Sequence, residues 1–273
     1  VFFDLLDGSG HCCAHRGARS LAPENTLLAV RRALDAGAQA WETDVHMTRD
    51  GQLVIFHDET LERTTDIAAH PEFADRKPWN VHDFTLDELL GLDAGSHFAI
   101  NDPFGTIAAG ELSQQEVENC RNQPMLTLRQ ALEFTREHTL PMNLEIKDQG
   151  EHHPCEAIVD AVLDMIRQTE TRELMLLSSF RHEYMARVRQ LDATLPTAAL
   201  AEEHPADIPA LLRELGAQAY HPNQKKTTPE LVRELVRQGF RVNPWTVNDM
   251  DKARALGQAG ATAIITDFPQ RMK

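Results

Sequence analysis

The stretch HCCAHRGARSLAPENT (His11–Thr26) decides the fold. It opens as a short apolar run, delivers His15 and Arg16 at its end, and closes in a polar Pro-Glu-Asn turn. A helical pattern follows at once over Thr26–Asp35, with Leu27, Val30 and Leu34 at helical spacing and Gly37 as the stop. This is a strand feeding a helix. An open, doubly wound nucleotide-binding sheet would place a glycine-rich phosphate turn after this first strand, and none is present. Seven further strand-like runs are spaced along the chain: Ala40–Met47, Met142–Lys147, Met175–Phe180, Thr197–Ala201, Ala217–His221, Arg241–Val247 and Ala263–Thr266. Amphipathic segments separate them. Thr228-Pro229 reads as the N-cap and first residue of a helix that Gly239 ends, Asn248 reads as the cap of another, and Asn25 as the cap of the first. Eight strands alternating with helices predict an α/β protein of the (β/α)8-barrel (TIM barrel) class.

Composition narrows the function. The 273 residues suit one barrel domain over 1–273, and 42% hydrophobic content supplies its core. A formal charge of -15 argues against nucleic acid as a partner, because phosphate backbones are gripped by surplus Lys and Arg. An acidic protein still binds a phosphate ester where a divalent cation inverts the local field. No apolar run reaches the roughly 18 residues of a membrane span, so stable membrane insertion is not expected. The first residues, VFFDLLDGSG, lack a basic region and an initiator Met, which reads as a processed or trimmed start rather than an intact signal peptide. Neighbouring Cys12 and Cys13 point to opposite faces of a strand, and with Cys120 and Cys155 they read as reduced, buried cysteines of a cytoplasmic enzyme. From about 58 to 124 the pattern loses its period and turns rich in Pro, Asp, Asn and Gly, which predicts an insertion after the second strand and its hairpin.

Central strands of a parallel barrel are covered on both faces and should be apolar. AWETDVHMT is not: Glu42, Asp44 and His46 share one face by the period of two. Two adjacent carboxylates in a low-dielectric interior repel unless a proton or a cation lies between them. Asp50-Gly51 then predicts a hairpin. A two-residue loop places Asp44 opposite His57, whereas a longer loop shifts the register by one and turns His57 away. In NLEIK, Glu145 and Lys147 share a face, either as an internal ion pair or as a third oxygen ligand beside a cation for an anionic oxygen. Three carboxylates without a Cys/His cluster favour Mg²⁺, Ca²⁺ or Mn²⁺ over Zn²⁺. Arg16 offers a fork of donors suited to phosphate oxygens. Two histidines, a metal and an arginine are what phosphodiester cleavage needs: one ring takes a proton from the nucleophile and the other gives one to the leaving alkoxide.

These residues resemble the glycerophosphodiester phosphodiesterase family. The pieces AHRGARSLAPENT, ETDVHMTRDGQLVIFHDETLERTTD, LDAGS, MLTLRQAL, NLEIK, LLSSF, NPWTVND and AIITDFP occur in order from Ala14 to Pro269. The resemblance implies a TIM barrel that hydrolyses glycerophosphodiesters to sn-glycerol 3-phosphate and an alcohol. It implies His15 and His57 as the acid/base pair, Arg16 and Lys147 on the phosphate, and Glu42, Asp44 and Glu145 on one divalent cation. Phe180 and Trp245 correspond to apolar walls on the glycerol side, with core packing as the alternative. Either water or the substrate's own hydroxyl is the nucleophile within such a family. Residues from about Phe98 to Gln123 match the pattern poorly, and His97 stands where an aromatic is usual, so the leaving alcohol stays open. The alternatives are a lipid-directed phospholipase C- or D-like relative, which needs an apolar rim, and a non-catalytic phosphodiester-binding barrel. The His152-His153 pair before Pro154 reads as a solvated loop rather than a second metal site.

Overall fold

The computed structural model describes residues 1–272, the side chain of Cys155 excepted. The expectation for that cysteine therefore falls outside the described residues. In chain order the elements are β1 (His11–His15), α1 (Leu27–Asp35), β2 (Ala40–Met47), β3 (Leu53–Ile55), α2 (Leu86–Leu90), α3 (Ser96–Asn101), α4 (Gln114–Glu118), β4 (Leu126–Thr127) and α5 (Leu128–His138). There follow β5 (Met142–Ile146), α6 (Cys155–Thr169), β6 (Met175–Ser179), α7 (His182–Leu191), β7 (Thr197–Ala201), α8 (Ile208–Leu215), β8 (Ala219–Pro222), α9 (Pro229–Arg237), β9 (Arg241–Val242), α10 (Met250–Gln258) and β10 (Ala263–Thr266).

Eight of these strands form a parallel path in the order β10-β1-β2-β5-β6-β7-β8-β9. Backbone hydrogen bonds between the chain after β9 and β10 close it: Thr262 N donates to Val242 O at 2.9 Å, Ile265 N to Pro244 O at 3.1 Å, and Val247 N to Ile265 O at 2.8 Å. The fold is the expected (β/α)8 barrel. The seventh strand is the exception, since its ladder stops at Val242 rather than running to Val247. Pro244 has no N–H to give, and there it serves the closure through its carbonyl alone.

Alternation sorts the side chains. Cys12 packs outward with Val30, Ala33 and Trp41 under the helices. Cys13 faces the barrel interior with Ala40, Leu176, Ala198 and Ala219, where Phe2 and Leu6 from the first residues seal the floor. Small residues at the floor suit a barrel whose lower interior must be filled by eight converging strands. Both cysteines are free and buried, as the strand reading requires.

The hairpin corrects one expectation. Thr48 N donates to Gln52 O, and the loop between them is Arg49-Asp50-Gly51 with Gly51 at φ +73°. A three-residue loop with a left-handed glycine takes over from the two-residue turn. The register slips by one: Val45 pairs Ile55 and His46 pairs Val54, and Phe56 N, not His57, meets Asp44 O. His57 still turns inward because the strand ends at Ile55 and strict alternation ends with it.

Between β3 and β4, which pair antiparallel, the aperiodic stretch folds into 3-10 segments of one or two turns and the short helices α2 to α4. Phe56, Leu61, Ile67, Trp79, Phe84 and Leu89 build its own apolar cluster. Elements of three to six residues are too short to show a period, which is why the sequence reads as irregular.

Candidate active site

The C-terminal ends of the strands carry the chemistry, as barrels generally place it. Asp44 on β2 lies directly across from Glu145 on β5. Glu42, Asp44 and Glu145 are all buried and can each turn an oxygen to within 4.8 Å of the others. Lys147 Nζ donates to Glu145 Oε1 at 2.7 Å and stands 3.3 Å from Asp44 Oδ1. The latter is an ion-pair distance without hydrogen-bond geometry, so Asp44 Oδ1 remains a buried oxygen with no donor. Lys147 thus makes the internal ion pair and lies in the acidic cluster as well.

Electrostatics show what the cluster lacks. Burial, then Asp44 and Glu145, pushes the Glu42 carboxyl well above its usual range. Burial, with Asp44, also raises Glu145 against Lys147. Burial opposes ionisation of Asp44 too, yet Lys147, His57, Arg16 and Asn25 together hold it low. Oxygen-only donors, mutual repulsion and an orphaned carboxylate oxygen fit a hard divalent cation.

Asn25 does not cap the first helix. Thr26 does, accepting from Ala29 N at 3.2 Å with the extended backbone that a cap needs. Asn25 sits at φ +58°, a left-handed position that Asn tolerates. Its amide donates to Asp44 Oδ2 at 2.9 Å and accepts from Thr43 at 2.8 Å. Asn248 is likewise no cap: Asp249 caps α10, and Asn248 donates to Asp267 Oδ2 at 2.7 Å. In both places a polar side chain next to the cap is drawn inward by a buried carboxylate.

His15 closes β1 with Nδ1 2.7 Å from Asp267 Oδ1 and Nε2 3.9 Å from Glu42. A carboxylate accepts only, and at 2.7 Å it outweighs Arg19 Nη1 at 3.5 Å from the same nitrogen, so the ring proton lies on Nδ1 and Nε2 is free to act. Burial, with the Arg16 charge, pushes the imidazole down to about 4 against the pull of Asp267. His57 mirrors it, with Nδ1 2.6 Å from Asp58 Oδ1. Arg16 donates its backbone N–H to Glu42 at 3.1 Å and Nη1 to Glu24 at 2.7 Å. Gly17 lets this corner seat on α1, since a Cβ there would lie 2.6 to 2.9 Å from Ala29 atoms.

A cavity of about 140 Å³ opens onto His15, Arg16, Glu42, His57 and Glu145, with Phe180 and Trp245 on its wall. The two rings meet edge to face at 5.5 Å and 87°, and Trp245 Nε1 donates to His221 O at 2.8 Å. Phe180 is 42% exposed, which excludes core packing for it. Of the His152-His153 pair, His152 is exposed and stacks on His82 of the insertion at 3.4 Å, whereas His153 is half-buried with Nε2 unpartnered, so the solvated-loop expectation holds for His152 alone. Among the described residues the one cluster able to hold a metal is the three-carboxylate one. Sequence reasoning missed Glu24, Asp58 and Asp267. Asp58 and Asp267 stood in view beside His57 and in TDFP, but nothing local shows that they back the two histidines.

Comparison with known proteins shows the family. The model of the Glycerophosphoryl diester phosphodiesterase family matches residues 15–271. A glycerophosphodiester phosphodiesterase of Caldanaerobacter subterraneus subsp. tengcongensis is 31% identical over 259 residues, covering 95% of this chain and 94% of the relative. One of Bacillus altitudinis is 31% identical over 263 residues, covering 94% of each. The structure of an Oleispira antarctica phosphodiesterase in complex with the product sn-glycerol-3-phosphate superposes with a TM-score of 0.79 at 26% identity, over 96% of this chain and 94% of that one. The chain belongs to the glycerophosphoryl diester phosphodiesterase family and is a phosphoric diester hydrolase of the TIM-barrel type.

Proposed function

We propose that the protein cleaves small glycerophosphodiesters to sn-glycerol 3-phosphate and an alcohol, with Glu42, Asp44 and Glu145 holding one divalent cation, Mg²⁺ or Ca²⁺ (or Mn²⁺). The observation that carries this reading is the meeting of two carboxylate-backed histidines with Glu42 and Glu145 on one cavity, with buried Asp44 completing a cluster of three carboxylates behind it. A divalent cation bound there supplies Lewis-acid stabilisation of the charge that grows on the phosphoryl oxygens.

His15 enters neutral, because its site disfavours the charged ring. Its Nε2 takes the proton of the attacking hydroxyl, and Asp267 steadies the imidazolium that forms. His57, less enclosed, gives a proton to the departing alkoxide. Lys147 and Arg16 face the phosphate oxygens, and their own carboxylate partners hold them in place. Phe180 and Trp245 supply the apolar wall for the glycerol carbons. The chain acts in this reading as one domain over 1–273, the insertion at about 58–124 bordering the leaving group. Free, buried Cys12, Cys13 and Cys120 suit a reducing, cytoplasmic setting. Among the described residues no helix is long and apolar enough to cross a membrane.

The test is glycerol 3-phosphate release from glycerophosphocholine and glycerophosphoethanolamine, and lysophosphatidate release from lysophospholipids, with Mg²⁺, Ca²⁺ or EDTA. Metal-dependent turnover of the deacylated substrates is expected. Turnover insensitive to EDTA refutes the cation site. No turnover with any substrate and metal returns the protein to a phosphodiester-binding barrel.

A further inference from the structure

The acid/base reading leaves buried Glu24 without a task. Glu24, in the loop between β1 and α1, has a side chain only 7% exposed and accepts from three arginines. On one side Arg19 Nη2 donates to Glu24 Oε2 at 2.6 Å, while Arg19 Nη1 lies 3.6 Å from Asp267 Oδ1. Asp267 is the carboxylate on His15 Nδ1. On the other side Arg63 donates to both Glu24 oxygens, at 3.1 and 2.6 Å. The same guanidinium donates to Asp58, Nε to Oδ2 at 2.6 Å and Nη2 to Oδ1 at 2.9 Å. Asp58 is the carboxylate on His57 Nδ1. The chain of contacts therefore runs from one histidine to the other: His15, Asp267, Arg19, Glu24, Arg63, Asp58, His57.

We propose that Glu24 is a positioning residue that sets both histidines as one unit, through Arg19 and Asp267 on the His15 side and Arg63 and Asp58 on the His57 side. Three separate parts of the chain meet in this brace: the loop after β1, the insertion, and the segment after β10. Each Asp must keep its oxygens aimed at a ring N–H for Nε2 to face the cavity. An isolated Asp on a loop has several rotamers; Arg63 selects one for Asp58 by a fork of charge-assisted hydrogen bonds, and Arg19 favours one for Asp267 by its charge at 3.6 Å, beside the hydrogen bond from Asn248. Glu24 links both loops because it lies between Arg16, Arg19 and Arg63 and offsets part of their mutual repulsion. A buried ion pair loses in desolvation much of what it gains in attraction, so a brace that ends on two ring nitrogens is better explained by orientation.

This inference rests on the acid/base reading of His15 and His57, and its test separates the two. The ring nitrogens of ¹⁵N-histidine-labelled protein are followed by NMR, with kcat and KM for glycerophosphocholine measured beside them. In the parent both rings carry a proton on Nδ1, toward Asp267 and Asp58. Arg63→Gln changes the His57 ring signals and leaves those of His15 in place. Arg19→Gln does the reverse. Glu24→Gln changes both and lowers kcat by roughly 10–100-fold, with KM moved by less than about threefold. The inference is overturned if Glu24→Gln leaves both rings and kcat as in the parent, or if Arg63→Gln disturbs both rings alike. Should Glu24→Gln fail to fold by circular dichroism, the two arginine variants decide alone. A parent protein without turnover refutes the hydrolytic reading, while the ring signals still decide on Glu24.

Discussion

Replacing Asp267 by Asn tests how far His15 depends on its partner. Asp267 must accept twice: from His15 Nδ1 at 2.7 Å and from the Asn248 amide at 2.7 Å. Asn248 cannot turn over to help, because its own oxygen already accepts from Thr266 Oγ1 and from Asp267 N. An Asn at 267 has one oxygen and one NH₂, so one of the two partners must face an N–H. If the oxygen stays with Asn248, the NH₂ points at His15 and forces the ring proton onto Nε2, the nitrogen that must accept. Losing a hydrogen bond to a charged group costs about 1.5–3 kcal/mol. At about 1.4 kcal/mol per tenfold in rate this is a fall in kcat of roughly 10- to 150-fold. Steady-state kinetics on glycerophosphocholine at saturating Mg²⁺ or Ca²⁺ reads it, with KM changed by less than about threefold because the lost contact orients a base rather than the substrate. A folded Asp267→Asn protein with kcat within about twofold of the parent would refute the role given to His15 and the orientation argument with it.

Glu145→Gln removes one carboxylate from the three and should weaken Mg²⁺ or Ca²⁺ binding by at least the roughly 10–100-fold that outer-shell losses cost, as read by calorimetry; unchanged affinity would place the ion elsewhere. Gly17→Ala puts a Cβ 2.6 to 2.9 Å from Ala29 at φ +78°, so urea unfolding should show a loss of roughly 2–4 kcal/mol from backbone strain and overpacking together. The Asp267 carboxyl is held down to about 2, against burial, by His15, Arg19 and Asn248. A carboxyl lowered in the folded state adds stability above its unfolded value and loses it as pH falls through the folded one. The parent should therefore lose roughly 2 kcal/mol between about pH 4 and pH 2 that Asp267→Asn does not lose, measured by urea unfolding at each pH; equal slopes would show that the carboxyl is not depressed.

Much of the site was readable because it is local. Period-two alternation placed Glu42 and Asp44 on one face, and the same rule placed Glu145 beside Lys147. Recurrence of strand and helix gave the barrel, and with it the certainty that inward faces of neighbouring strands converge. Two of the misreadings share a cause. Asn25 and Asn248 each stand beside a helix start and look like caps, but buried Asp44 and Asp267, 19 residues away in each case, compete for them. The hairpin register turned on one residue of loop length, which Asp-Gly allows either way.

The sequence by itself determined which side chains face inward on each strand and hence which acids, bases and cations the barrel mouth could hold. It could do so because side-chain direction in a strand follows from the backbone alone. Only the tertiary structure decided which carboxylate serves which histidine. Asp267 reaches His15 across 252 positions, and Glu24 reaches Arg63 across 39. Those pairings come from barrel closure between the first and last strands and from the insertion folding over the rim, and no local pattern records either.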